Sequence, residues 1–150
     1  MRIGVISDTH GLLRAEALTA LEGSDLIVHA GDVGKAEVLE GLRRVAPVVA
    51  VRGNVDRGEW ARGLPETAVA ETDGARLYVL HDVHTLDLEA AAGFDMVISG
   101  HSHNASRTER GGVIHLNPGS AGPRRFRLPV TLAILEVRGA KLTIEFVKLI

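Results

Sequence analysis

Five short apolar runs of this chain each end in residues able to bind a cation. Arg2–Ile6 is followed by Ser7-Asp8-Thr9-His10, and Leu26–Val28 by His29-Ala30-Gly31-Asp32. Val48–Val51 leads into Arg52-Gly53-Asn54-Val55-Asp56, Leu77–Leu80 into His81-Asp82-Val83-His84, and Met96–Ile98 into Ser99-Gly100-His101-Ser102-His103. The donors are carboxylate, amide oxygen and imidazole, with no cysteine in the chain. That set suits Mn²⁺, Fe²⁺ or Zn²⁺ better than a sulfur-loving ion. Asp8, His10, Asp32, Asn54, His81, His101 and His103 are more donors than one ion needs. A carboxylate shared between two ions about 3.5–4 Å apart would use them all.

Spacing supports convergence. Asp8-x-His10 and His101-x-His103 are i, i+2 pairs, which point the same way in extended backbone, so each pair could serve one site. Gly31, Gly53 and Gly100 stand one residue before Asp32, Asn54 and His101, where they would admit close backbone approach or a positive φ.

These donors need strands that end on one side. Arg2–Ile6, Leu26–His29 and Val48–Val51 read as strands. Between them lie Leu13–Leu21 and Lys35–Val45, whose apolar residues recur at helical spacing. The resulting βαβαβ order implies parallel strands, and in such sheets sites form beyond the carboxyl ends of the strands. The second half reads as a hairpin, Thr67–Thr72 and Arg76–Leu80 around Asp73-Gly74, then a helix over Thr85–Ala92. Strands follow at Asp95–Ser99 and Val113–Leu116, then a terminal hairpin of Val130–Val137 and Lys141–Leu149. The expectation is an α/β chain, parallel at first and antiparallel later, with two sheets face to face and helices outside.

Composition narrows the function. A length of 150 residues favours one domain, and 45% apolar residues suits a globular core. A net charge of −2 argues against an extended grip on a phosphate backbone, so nucleic acid is a disfavoured partner. No apolar stretch approaches the roughly 20 residues of a membrane span, and the first residues do not read as a signal peptide, so a cytoplasmic location is expected.

Taken together, Asp8-x-His10, Gly31-Asp32, Gly53-Asn54-x-Asp56, a following His and Gly100-His101-x-His103 resemble the signature of calcineurin-like metallophosphoesterases. The short length and Asn117-Pro118-Gly119-Ser120 are similar to the small prokaryotic phosphodiesterase branch. The resemblance implies a single metallophosphoesterase domain over 1–150, folded as a four-layer αββα sandwich. It also implies a dinuclear centre of two divalent ions, manganese first, with iron, nickel or zinc as alternatives. Asp8, His10 and His103 would hold one ion, Asn54, His81 and His101 the other, with Asp32 bridging. His84 remains an alternative to His81. Asp56 would orient a ligand by a hydrogen bond or simply brace a turn, and Arg124, with Arg125, would contact substrate phosphate or simply form an exposed, solvated surface. His29 lies close enough to serve behind the ligands.

The implied reaction is hydrolysis of small phosphodiesters or nucleotides by attack of a metal-bound hydroxide. Val55 stands where many relatives place a His that could protonate the leaving group. Two rival readings are a non-catalytic interaction scaffold on the same fold, like the retromer subunit that resembles these enzymes, and a nuclease. Homo-oligomerisation stays open.

Overall fold

Along Thr131–Arg138, alternate side chains enter two different cores. Ala133, Leu135 and Val137 join one buried cluster, while Leu132 and Ile134 join another. This period of two is what a strand buried on both faces requires, and it places a layer on each side of the sheet. The computed structural model describes residues Met1–Ile150. Its strands are β1 (Arg2–Ile6), β2 (Leu26–His29), β3 (Val48–Ala50), β4 (Thr67–Thr72), β5 (Ala75–Leu80), β6 (Met96–Ile98), β7 (Ser106–Arg110), β8 (Val113–Asn117), β9 (Thr131–Arg138) and β10 (Lys141–Lys148). Its helices are α1 (Ala15–Leu21), α2 (Ala36–Arg43) and the short α3 (Leu88–Ala91), with single 3-10 turns at Glu59–Ala61 and Val83–Thr85.

The strands form two five-stranded mixed sheets, ordered β10-β9-β1-β2-β3 and β4-β5-β6-β8-β7. Ile3, Val5, Val28, Leu77, Met96, Ile98, Leu116 and Leu135 fill the space between the sheets. Leu21 of α1 and Val38, Leu39 and Leu42 of α2 cover the outer face of the first sheet. Ala91 of α3 covers Leu80 and Val97 on the second. The four layers are therefore helix, sheet, sheet, helix.

Register sets up the site. β1, β2 and β3 run parallel, with Ile6 opposite His29 and His29 opposite Ala50. β5, β6 and β8 also run parallel, with Val79, Ile98 and Leu116 in line. The carboxyl ends of both parallel sets are therefore level within each sheet.

Three expectations are revised. The second half is not antiparallel throughout, since β5-β6-β8 is parallel and flanked by antiparallel β4 and β7. β7 was not expected at all: all five of its residues are exposed, so no alternation betrays it, and it pairs with β8 across Gly111-Gly112. The single helix over Thr85–Ala92 is instead a 3-10 turn and α3. Asp82 and Asp87 each accept an N–H from two residues ahead, of His84 (3.0 Å) and Glu89 (2.9 Å), and so start two separate turns.

Leu135 is fully buried between the sheets. Leu135→Ala is expected to destabilise the fold by about 2–5 kcal/mol in urea unfolding; a loss below about 1 kcal/mol would mean that this layer is not tightly packed.

Candidate metal centre

Six non-glycine residues have positive φ, and five of them are candidate donors: Asp8 (56°), His10 (47°), Asp32 (55°), His101 (72°) and His103 (63°). Asp and His tolerate this region better than most residues, but each such residue still carries strain that its surroundings must offset. The i, i+2 pairs thus turn sharply after their strands instead of continuing extended. The consequence differs between them. Asp8 and His10 converge, with His10 Nε2 3.9 Å from Asp8 Oδ1. His101 and His103 separate: the His103 ring lies 5.3 Å from that of His10, and the His101 ring 5.2 Å from that of His81. Gly31 adopts φ 99°. Gly53 and Gly100 serve by close approach, because a Cβ on Gly53 would overlap Asp32 and one on Gly100 would overlap Ser7 Oγ.

Asp8 is fully buried, and its two oxygens differ. Oδ2 accepts from Ser7 Oγ (2.8 Å) and from the His101 N–H (3.1 Å). Oδ1 has no hydrogen-bond partner and lies 3.4 Å from His103 Nε2. Asp32 is divided in the same way. Its Oδ1 accepts the Val55 N–H at 3.1 Å. Its Oδ2 sits 3.6 Å from His10 Nε2 and 3.2 Å from His81 Nε2. No hydrogen bond forms across the close contact to His81, so His81 Nε2 is left without a partner, as is His10 Nε2. His81 Nδ1 donates to Ala30 O at 2.8 Å, which fixes the tautomer and leaves the Nε2 lone pair facing the pocket. Unpartnered buried polar atoms are uncommon in folded proteins. Here they aim at common points: Asp8, His10 and His103 form one group, and Asp8, Asp32 and His81 another. That arrangement fits cation binding.

A layer of hydrogen bonds behind these groups holds the loops. His29, fully buried, accepts the Gly31 N–H at Nδ1 (3.1 Å), and its Nε2–H meets Thr9 Oγ1 (3.0 Å), which donates to Val33 O (2.8 Å). Asp56 accepts from the backbone N–H groups of Gly53 (2.8 Å), Gly34 (2.9 Å) and Val33 (3.2 Å). It therefore joins the loops after β2 and β3 through their backbones, and none of these bonds goes to a donor side chain. Asn117 Nδ2 donates to Gly100 O (2.9 Å) and Ser102 Oγ (3.0 Å), while Ser120 Oγ donates to Asp8 O (3.1 Å). Ser7 and Thr9 were not picked out by sequence reasoning, and Asn117 was marked only as part of the Asn117–Ser120 motif. Ser7 and Thr9 flank Asp8, and only that adjacency could have marked them.

The remaining candidates lie at the rim. Asn54 is exposed and lines a cavity of ≈ 430 Å³ together with Arg52, Tyr78, His81 and Asp82. The His101 side chain is 43% exposed, with Nε2 4.0 Å from Asp82 Oδ2. The His84 side chain is 88% exposed and bonds Asp82 at 3.1 Å, whereas His81 is buried. Arg124 is exposed and its Nε donates to Leu128 O (3.4 Å) within its own loop. It is the charge of Arg125 that reaches His10 and His103. His115 lies on β8, as its apolar run suggested.

Burial and charge divide the titrating groups. Burial pushes the Asp8 carboxyl up to about 6 despite the Ser7 hydroxyl. Burial also works on Asp32, but His81 and the Val55 N–H outweigh it and hold that carboxyl at about 2. Burial lowers His10, brings His103 to about 4 with help from Arg125, and brings His29 to about 3. His81 is raised: burial opposes this, but the pull of Asp32 and the Ala30 carbonyl prevails. His10 and His103 are therefore neutral near pH 7, with lone pairs free to bind a cation.

Comparison with known proteins gives a consistent picture. The calcineurin-like phosphoesterase superfamily domain matches residues 1–140. A probable metallophosphoesterase of Methanothermobacter thermautotrophicus is 34% identical over 163 residues, spanning 99% of this chain and 92% of that protein. The structure of YfcE, a phosphoesterase from E. coli, superposes with a TM-score of 0.73 at 27% identity, covering 99% of this chain and 100% of the other. Vps29 from Entamoeba histolytica, complexed with Zn²⁺, superposes with a TM-score of 0.76 at 26% identity over 99% of both chains.

The Asp8 carboxyl holds its proton up to about pH 6 in the fold but releases it near 3.8 when unfolded. Protonated Asp8 therefore favours the fold at low pH, and that contribution is lost as pH rises from 3.8 through about 6. In metal-free protein, Asp8→Asn should match the wild type below pH ~4 and exceed its stability by about 3 kcal/mol above pH ~6, at 1.36 kcal/mol per pH unit. Denaturant unfolding across pH 4–7 checks this; a constant difference between the two proteins would contradict it.

Proposed function

The chain belongs to the calcineurin-like phosphoesterase superfamily, a family of phosphoric ester hydrolases, and we propose that it is a two-metal phosphodiesterase acting on small phosphodiesters or nucleotides. In this reading Asp8, His10 and His103 hold one divalent ion, Asn54, His81 and His101 hold the other, and Asp32 joins them. The position of Asp32 Oδ2, 3.6 Å from His10 Nε2 and 3.2 Å from His81 Nε2, carries the reading, since one oxygen faces both groups of donors. Manganese is the first choice for the ion, with iron, nickel or zinc as alternatives, and a cytoplasmic location goes with the substrates proposed.

Bound divalent ions would supply Lewis acidity for the phosphoryl oxygens and lower the pKa of a bound water toward about 7. The protein's own contribution is positional. Ser7 and the His101 N–H turn Asp8 Oδ1 toward the pocket, and the Val55 N–H does the same for Asp32 Oδ2. Ala30 O selects the His81 tautomer. Val55, 46% exposed at the rim, offers no side-chain proton to a departing alkoxide. General acid catalysis is typically worth 10²–10⁴-fold, so its absence should bias the enzyme toward good leaving groups. A non-catalytic scaffold is served less well, because every donor type the resemblance calls for is present. A nuclease is disfavoured by the net charge of −2.

The direct test is metal analysis of wild type and Asp32→Ala, with a phosphodiester panel run on metal-free protein resupplied with Mn²⁺, Ni²⁺ or Zn²⁺. Asp32→Ala is expected to lose both ions and nearly all activity; two ions retained in that variant would contradict the shared carboxylate. On the same panel, kcat/KM should fall steeply from aryl to alkyl leaving groups. A flat dependence would show that some other group, such as His84, donates the proton.

A further inference from the structure

The loop joining β8 to β9 carries Arg124-Arg125-Phe126-Arg127. Its stem is fastened to the metal centre. The Ala121 N–H donates to Ser7 O at 3.1 Å and Ser120 Oγ to Asp8 O at 3.1 Å. Gly122 runs so close to the carbonyls of Asp8 and Thr9 that a Cβ there would overlap them, and Arg14 Nε and Nη2 donate to its carbonyl at 3.3 and 3.1 Å. The tip is a tight turn closed by the Leu128 N–H on Arg125 O at 3.1 Å, with Phe126 at its first corner. Phe126 takes φ 53°, a conformation that turns ordinarily give to Gly, Asn or Asp. The residue is 94% exposed, more than any other large apolar residue of the protein.

A bulky aromatic at a strained corner, fully in water, contributes nothing to the core and costs backbone strain. The fastened stem sets the loop that carries this ring next to the metal centre, because Ser120 and Gly122 lie directly against Asp8 and Thr9. The two flanks of the site also differ in charge. The loop side bears three arginines within four residues, whereas the cavity beside His81 is lined by Glu66, Asp82 and Asp87 with Arg52, which pairs with Glu66 at 3.3 Å. An anionic substituent of the substrate belongs on the loop side.

We propose that Phe126 and Arg125 form a subsite for a nucleoside arm of the substrate, Phe126 stacking on the base and Arg125 meeting phosphate charge. This rests on the two-metal reading and deepens it, by naming nucleotide-bearing phosphodiesters as the substrate class. Stacking on an aromatic ring tolerates any base, because every base presents a π-face. A guanidinium meets phosphate oxygens in a two-pronged geometry that a lysine cannot reproduce.

The test is calorimetric binding to the metal-loaded protein of two uncleavable ligands, the methylenephosphonate analogues of AMP and of ribose 5-phosphate. They share an anionic head and differ by the base. The wild type should bind the adenosine compound about tenfold more tightly. Phe126→Ala should abolish that preference, Phe126→Tyr should keep it, and Arg125→Ala should weaken both ligands alike. Equal affinity for the two in the wild type, including none for either, or a preference that survives Phe126→Ala, would overturn the proposal. Because the ring packs against nothing, Phe126→Ala should melt no lower than the wild type, so a lost preference would not reflect unfolding. A normal binding preference in a protein that turns over no phosphodiester would condemn the two-metal hydrolase reading and leave the subsite standing.

Discussion

Two carboxylates cannot share a dry pocket unless positive charge accompanies them, and this requirement organises the whole site. Asp8 and Asp32 are both buried, and they meet the requirement differently. Asp32 draws on His81, whose affinity for a proton rises in response, so this pair partly neutralises itself. Asp8 has only hydroxyl and amide donors on one oxygen and nothing on the other, and burial leaves it with a raised pKa. A cation between the two acids would relieve both, and the neutral His10 and His103 stand ready to complete its coordination. The strain at five left-handed Asp and His residues follows from the same demand, because only a sharp turn after each strand aims these side chains at one point.

The fold supplies that point by abutting two parallel sets of strand ends. β1, β2 and β3 deliver Asp8, His10, Asp32 and Asn54, while β5 and β6 deliver His81, His101 and His103. The His101 N–H on Asp8 Oδ2 and the Gly100 N–H on His81 O at 3.0 Å knit the loops together, the first of these across the two sheets. Asn117 and Ser120 brace them from behind, and Asp56 ties the loops after β2 and β3. Losing one such brace would shift donors belonging to both groups.

Much of this could be read in the sequence, for physical reasons. Apolar runs ending abruptly in Asp, Asn or His mark buried strands whose ends must carry polarity, and Asp73-Gly74 marks a hairpin through its turn geometry. The parallel pairing of β5, β6 and β8 was hidden because a three-residue strand such as Met96–Ile98 carries no directional signal. β7 was hidden because an edge strand of Ser, Arg, Thr, Glu and Arg protects itself with charge and so shows no apolar alternation. Within the site, the donor types could be read but their division could not. His101 and His103 are themselves left-handed, so an extended-strand argument cannot anticipate where their rings go. His29 was hard to place because its neighbours Ile27 and Val28 make it look like core, which it is, while its ring also links the first two loops. Arg124 and Arg125 are neighbours in sequence, yet it is the charge of Arg125 that is felt at His10 and His103.

The central claim is that Asp32 Oδ2 lies between two cations. Anomalous diffraction from crystals grown with Mn²⁺ would test it most directly. Two peaks about 3.5–4 Å apart, one beside His10 and His103 and the other beside His81, with Asp32 between them, are the predicted result. A single peak, or peaks away from Asp32, would contradict it.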